Sequence, residues 1–242
     1  MIDATHGTIP QAQAQRLADL ATHPNPAWTP GDTEPWIIDA VCALLRASGQ
    51  TVVLELGGYT GACSEALLRT LDPINGLLTV VEHNHDLCCR ITERLYWVSG
   101  MELTPTNPDD FRYHVIQGDT VGVIPGLDDR SIGFCWVDDS HDTPHVAEEL
   151  ALLIPKMVDG GIICFHDVCG AYRLHGLVSY YGGYSLDLPR VSSSGGLGIL
   201  QVRPSTRLVE PIPSSFWTRP AIEQLPDGSM RVCVLGDDDS PP

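Results

Sequence analysis

Two short runs carry the groups most capable of chemistry: "VDDSHD", Val137 to Asp142, and "CFHDV", Cys164 to Val168. Each ends an apolar stretch that reads as a buried strand, so Asp138 stands at the end of one strand and His166 and Asp167 at the end of the next. Carboxylate and imidazole donors converging over a sheet suit a divalent ion. Carboxylates alone favour Mg²⁺, whereas imidazole favours Mn²⁺, Fe²⁺ or Zn²⁺. Three readings of His141 and His166 stay open: ligands to a transition metal beside Asp138 and Asp167, a metal-free general base, or hydrogen-bonding partners of neighbouring loops. Asp139 and Asp142 read as solvent-facing residues or as the cap of a helix starting near Thr143.

The second chemical signal is "ELGGYTG", Glu55 to Gly61. Here a probable buried strand meets a glycine-rich turn, and glycine lets backbone approach a ligand closely. The glycines run G-G-x-x-G. That departs from the dinucleotide pattern G-x-G-x-x-G, and no Lys-Ser or Lys-Thr follows to make a P-loop.

The positioning elements alternate. "WIIDAVCALLRASG" is an apolar-periodic helix with a terminal glycine, after which come strand "TVVLEL", helix "TGACSEALLRTL", strand "GLLTVVE" and helix "DLCCRITERLYWV". Strands "YHVIQ" and "SIGFCWVD", helix "PHVAEELALLIPKMV" and strand "GGIICFHD" complete the series. Strands alternating with helices predict a parallel sheet covered on both faces. "YSLDLPRV" and "GLGILQVR", with no helix between them, predict a closing antiparallel hairpin. A further strand is expected at "MRVCVL", and the final "GDDDSPP" has the composition of a disordered tail.

Composition narrows the partners. The 242 residues carry a net charge of -17, with 14 basic residues of which Lys156 is the single lysine. Phosphate backbones and anionic membranes need clustered basic residues, so neither is an expected partner. No run of about 18 apolar residues suggests a membrane span, and the first residues lack a signal-peptide pattern; a cytoplasmic location is expected. The eight cysteines lie mostly in apolar runs, as free core thiols do. His83, His85, Cys88 and Cys89 are a zinc alternative, although their spacing fits no usual zinc pattern. A homo-oligomer is compatible with the sequence.

Glu55, Gly57 and Gly61 fit acid-x-G-x-x-x-G, and the run resembles motif I of class I S-adenosylmethionine (SAM)-dependent methyltransferases. The segments that follow resemble the same family in order, over roughly Trp36 to Gln201. The resemblance implies an α/β, Rossmann-like, doubly wound seven-stranded sheet, mostly parallel with an antiparallel C-terminal hairpin. It places SAM against Glu55, Gly57, Gly58, Tyr59, Thr60 and Gly61, with Glu82 and His83 at the ribose. Gly118, Asp119 and Thr120 fall at the adenine, and Asp138 beside the methyl donor. The last two junctions resemble the metal-dependent small-molecule O-methyltransferases, whose pattern assigns a metal to Asp138, His166 and Asp167. His166 departs from that pattern, which has a carboxylate at its position. The same junctions look still more like the broad methyltransferase group that carries a D-x-x-H segment and a terminal His-Asp. The implied catalytic residues are His141, His166 and Asp138.

The organisation expected is a lead or cap over 1–35, a SAM-binding domain over 36–203 and an extension over 204–242. A planar acceptor would meet Trp28, Trp36, Tyr172, Tyr180 and Tyr181, which read equally as core or interface. Glu55 and Glu82 also read as solvated strand-end acids, and Asp119 as a turn residue. Competing functions are a SAM-binding enzyme that transfers no methyl group, a nicotinamide oxidoreductase disfavoured by the glycine spacing, and a non-catalytic Rossmann-like interaction domain.

Overall fold

The computed structural model describes residues 33–99, 112–168, 174–186 and 196–209, and the backbone of two short strands at 222–224 and 230–232. Trp28, Tyr172, Cys169, Cys233, the end of the chain and most of the 1–35 and 204–242 segments lie outside the described residues.

Helix α1, Pro35–Ser48, opens with Pro35 in its first turn, where a missing N–H costs nothing, and stops at Gly49 in the left-handed conformation. Then come β1 (Val52–Leu56), α2 (Ala62–Leu71), β2 (Leu77–Glu82), α3 (His85–Ser99) and β3 (Tyr113–Gln117). The one-turn α4 (Thr120–Val123) precedes β4 (Ile132–Val137), α5 (Thr143–Leu153), β5 (Met157–Phe165), α6 (Leu174–Tyr180), β6 (Tyr184–Leu186) and β7 (Leu197–Gln201). One seven-stranded sheet forms in the order β3-β2-β1-β4-β5-β7-β6. All pairs from β3 to β5 are parallel, while β7 runs antiparallel to both β5 and β6. This is the expected doubly wound sheet with its closing hairpin. Strands β8 (Ile222–Gln224) and β9 (Met230–Val232) pair separately, the latter within "MRVCVL".

Both faces of the sheet are covered, which is why its strands are apolar almost throughout. The period-2 alternation divides them: Val53, Val80, Phe134, Trp136 and Cys164 pack with α1, α2 and α3. Leu54, Leu56, Val81, Val137 and Phe165 pack with α5 and α6 on the other side. No helix among the described residues is long and apolar enough to cross a membrane.

Two sequence expectations shift. The helix expected through Val158 ends at Leu153, followed by a 3₁₀ turn over Ile154–Lys156, because Pro155 cannot donate into an α-helical ladder. Strand β5 starts at Met157 rather than Gly160, and its pairing with β4 slips between Ile132 and Phe134. Of the proposed acceptor aromatics, Trp36 is core (3% exposed) and packs with α1, and Tyr181 is buried in the opposite cluster.

Phe134 is fully buried in the central strand. Phe134→Ala is expected to cost about 3–5 kcal/mol of unfolding free energy by urea titration; a loss below 1 kcal/mol would show that β4 does not pack as described.

Candidate active site

Four strand ends build one cleft. Backbone ladders continue past the strands, from Gly57 N to Val81 O (2.9 Å), Gly118 N to Glu82 O (3.0 Å), Asp138 N to Leu56 O (2.9 Å) and His166 N to Val137 O (3.0 Å). The loops therefore leave the sheet in register, and the cleft between them measures about 470 Å³, ample for a nucleoside-sized ligand.

At the first junction Gly57 has φ +84°, and a Cβ there would strike the carbonyl oxygen of Asp138 and come within 2.5 Å of Asp139 Cα. Glycine is required by the neighbouring backbone as much as by any ligand. A Cβ on Gly58 would meet Ile91 Cδ1 at 2.5 Å and Val80 Cγ1 at 2.7 Å. Gly61, at φ +80°, opens α2. It and Thr60, whose carbonyl accepts from Arg94 Nη1 (3.3 Å), support the turn rather than line the cleft. Tyr59 sits at φ +45°, half-exposed at the mouth.

Glu55 shares the α1–α3 face with Val53 and is fully buried under the start of α2. Neither of its oxygens accepts a hydrogen bond by geometry. Burial pushes its carboxyl up to about 8, against the smaller opposing effect of Ser64. It is thus a neutral acid at pH 7, not a solvated strand-end carboxylate. Glu82 differs, because Oε2 accepts from Tyr59 N (3.1 Å) and Oε1 from Asn84 N (2.9 Å). These bonds hold a carboxylate, 4% exposed, in the cleft wall, with the exposed ring of His83 beside it at 3.3 Å. The zinc alternative does not assemble: Cys88 Sγ donates to Glu82 O (3.2 Å), Cys89 meets His85 at 3.8 Å, and His83 pairs with Glu82.

At the third junction Asp119 caps α4, accepting from Val121 N (3.0 Å), and stays exposed at the cleft. Gly118 and Thr120 also line it.

The fourth and fifth junctions bring together the acidic and imidazole groups. Val137 pairs with Phe165, so Asp138 and His166 emerge side by side. Asp138 Oδ1 meets His166 Nδ1 at 2.9 Å, and Asp167 Oδ2 meets His141 Nε2 at 2.9 Å. Asp167 Oδ1 lies 3.6 Å from His166 Nδ1, and Asp167 holds the unusual φ of +50°. The loop before α1 closes over this group: Thr33 Oγ1 donates to Asp138 Oδ2 (2.6 Å), and Glu34 Oε2 meets His166 Nε2 (2.8 Å). Burial alone would lower the His166 pKa, but hydrogen bonds to Asp138 and Glu34 outweigh it and raise it to about 10. The His141 pKa is also raised, chiefly by its bond to Asp167. Sequence reasoning missed Thr33 and Glu34, whose only signal was their place before the helix-initiating Pro35.

Asp139 corrects an expectation. It does not face solvent or cap α5, a place taken by Asp142 without a side-chain bond. Instead it points to the α5 face, where Oδ2 accepts from Thr120 Oγ1 (3.0 Å) and lies 3.4 Å from His145 Nε2. Burial opposes ionisation of Asp139, but hydrogen bonds from His145 and within the cluster hold its carboxyl down at about 2. His145 is raised to about 10 by Asp139 and then Glu149, and burial pushes Glu149 up to about 7. Tyr180 and Tyr181, read equally as acceptor, core or interface residues, line a separate hollow beside β6 and β7 rather than the cleft. Ring packing explains their place, since they stack edge-on at 5.3 Å.

Residues 54–168 match the family model described as a methyltransferase domain. The same sheet occurs in solved structures of low identity. A methyltransferase, PaMTH1, from Podospora anserina, solved with S-adenosylhomocysteine (SAH), is 14% identical over 81% of this chain and 97% of its own, at a TM-score of 0.58. The O-methyltransferase TomG of Streptomyces achromogenes, solved with SAM and involved in tomaymycin synthesis, is 19% identical over 79% and 87%, at 0.56. An O-methyltransferase from Bacillus cereus with SAH is 16% identical over 78% and 88%, also at 0.56. No curated protein matches the chain in sequence. In this chain the cleft lies where a doubly wound sheet binds ligands, across the switch between β1 and β4.

Two outcomes follow from the cleft wall. Gly57→Ala is expected to cost about 1–3 kcal/mol through its φ alone, and more through the clash with Asp138, measured by urea unfolding; wild-type stability would contradict the close approach. Glu55 binds a proton in the folded state across the window from 4.5 to about 8 that the unfolded chain has released. Its contribution to stability is therefore greatest below that window and lost as pH rises through it. Glu55→Gln should flatten the fall in unfolding free energy between pH 6 and pH 8.5, by an amount of order a few kcal/mol. An unchanged slope would mean that Glu55 ionises normally.

Proposed function

We propose that the chain transfers the methyl group of SAM to a hydroxyl oxygen of a small-molecule acceptor. The observation that carries this reading is the convergence of Glu82, Asp119, the Gly57–Gly58 backbone and the Asp138–His166 cluster on one cleft, within the segment that matches the methyltransferase-domain model. The cofactor-binding unit in this reading is 36–203, with 1–35 as a cap and 204–242 as an extension.

The residues present fit the cofactor. Glu82 is held by two backbone N–H groups, so its carboxylate is fixed before a ribose diol arrives to donate to it. Asp119 is open to the adenine end. Gly57 and Gly58 give a floor of bare backbone, and Gly61 starts α2 beneath it. Glu55, whose carboxyl burial pushes up to about 8, would ionise toward a cationic amino group, which favours a ligand carrying one.

SAM supplies a methyl group on a positively charged sulfur. The acceptor oxygen forms the new bond to carbon as the sulfur–carbon bond breaks, and the hydroxyl proton must leave. We assign that proton to His141, with the Asp167 carboxylate 2.9 Å away stabilising the imidazolium. His166, held between Asp138 and Glu34, is already charged at neutral pH and makes the poorer base.

The same group also fits a divalent metal. The donor atoms of Asp138, His141 and His166 lie within 4.8 Å of one another, so these residues, with Asp167 beside them, would hold it. The donor Nδ1 of His166 is oriented by Glu34 at Nε2, as a metal-bound imidazole is by a carboxylate. The imidazole favours Mn²⁺, Fe²⁺ or Zn²⁺ over Mg²⁺. Such an ion would lower the pKa of an acceptor hydroxyl.

Calorimetric titration with SAH, with NAD as control, tests the cofactor. Saturable binding of SAH alone is expected, and binding of neither to folded, ligand-free protein would remove the reading. Asp138→Ala and Asp167→Ala are expected to cut methyl transfer at least about 100-fold while changing SAH affinity less than about tenfold. Full activity of both variants after chelator treatment would exclude the metal.

A further inference from the structure

We propose that Asp139, His145 and Glu149 form a binding site for a divalent first-row transition ion of the Zn²⁺ type, distinct from the Asp138 group and independent of the methyl-transfer reading. Successive side chains at the end of β4 leave on opposite faces of the sheet, so Asp138 turns toward His166 while Asp139 turns toward α5. There His145 and Glu149 are four residues apart on one helix, on the same side of it.

The spacing of the donor atoms is that of a coordination shell. With metal–ligand bonds of about 2.0–2.1 Å, the corners of a tetrahedron lie about 3.3–3.4 Å apart. Asp139 Oδ2 is 3.4 Å from His145 Nε2, and Glu149 Oε1 is 3.3 Å from the same nitrogen. One donor atom from each residue falls within 4.8 Å of the others. Thr120 Oγ1 borders the remaining corner, 3.0 Å from Asp139 Oδ2 and 3.1 Å from His145 Nε2.

A second observation points to a cation ligand. Glu149 is 1% exposed, and beyond the 3.3 Å ion pair of Oε1 with His145 its oxygens accept no hydrogen bond; nor does Asp139 Oδ1. Ionised Glu149 beside the Asp139 carboxylate would exceed the charge of the one imidazolium, a costly arrangement away from water without a further cation. A divalent ion would engage those oxygens and displace the His145 proton to solvent, giving a neutral set of two carboxylates, one imidazole and M²⁺. Access exists from the cleft, because Asp139, His145 and Thr120 line its wall while Glu149 closes the far side. The ion would tie the β4–α5 loop to the α4 turn that carries Asp119.

The test uses the chelator-treated full chain titrated with Co²⁺, read by the visible absorption of four-coordinate cobalt. Wild type should bind one equivalent with that spectrum. Asp138→Asn should keep it, while His145→Asn and Glu149→Gln should lose it or bind at least about tenfold more weakly. Circular dichroism reports whether each variant is folded, and Zn²⁺ should raise the Tm of wild type more than that of either cluster variant. Absence of the four-coordinate spectrum in wild type, its retention in both cluster variants, or its loss only in Asp138→Asn would overturn the site. So would an equal Zn²⁺ effect on Tm in all chains.

Discussion

The backbone of Gly57 lies against the backbone of Asp138 and Asp139 with no room for a Cβ. That approach brings the turn after β1 and the loop after β4 into contact at the point where the strand order reverses. The cleft depends on it. A side chain at Gly57 would part the two loops that carry the candidate cofactor floor and the candidate acid–histidine group. The left-handed conformation at Gly57 turns the chain toward α2, and the hydrogen bond from Asp138 N to Leu56 O holds the facing loop in place.

From that junction the period-2 alternation of β-strands separates two chemistries. Asp138 joins His166, Glu34 and Thr33 on the α1 side, and Asp139 joins His145, Glu149 and Thr120 on the α5 side. Adjacent aspartates in sequence thereby serve different clusters. Both clusters exclude much of the surrounding water, so each imidazole is strongly biased by its carboxylates. Glu55 shows the converse: buried beneath α2 without a cationic partner, its carboxyl keeps a proton at neutral pH. Glu55 and Asp139, both buried, thus differ in ionisation because of their surroundings.

The loop before α1 extends this logic. Thr33 and Glu34 reach 105 and 132 residues along the chain to Asp138 and His166. Helix α1 fixes that reach, since Trp36, Ile37 and Val41 are buried on the face of the sheet it shares with α2 and α3. A segment that contributes nothing to the glycine motif is therefore part of the candidate site's electrostatics.

The sequence by itself determined the strand–helix alternation, the parallel sheet and the strand-end positions of Glu55, Glu82, Asp119, Asp138, His166 and Asp167. Those follow from local periodicity and from the rule that a doubly wound sheet presents its strand ends to a ligand. Even the i, i+4 spacing of His145 and Glu149 was legible, though it had no partner to give it meaning. Tertiary structure alone decided the partners. It buried Tyr181 in the core instead of at an acceptor, ended α5 before Pro155, turned Asp139 inward and brought Glu34 to His166. Such pairings depend on loop paths and on which sheet face a side chain takes after the strand ends, where the backbone no longer has a fixed period. The physical reason is that periodicity is a local property, whereas burial and charge pairing are sums over residues distant in the chain.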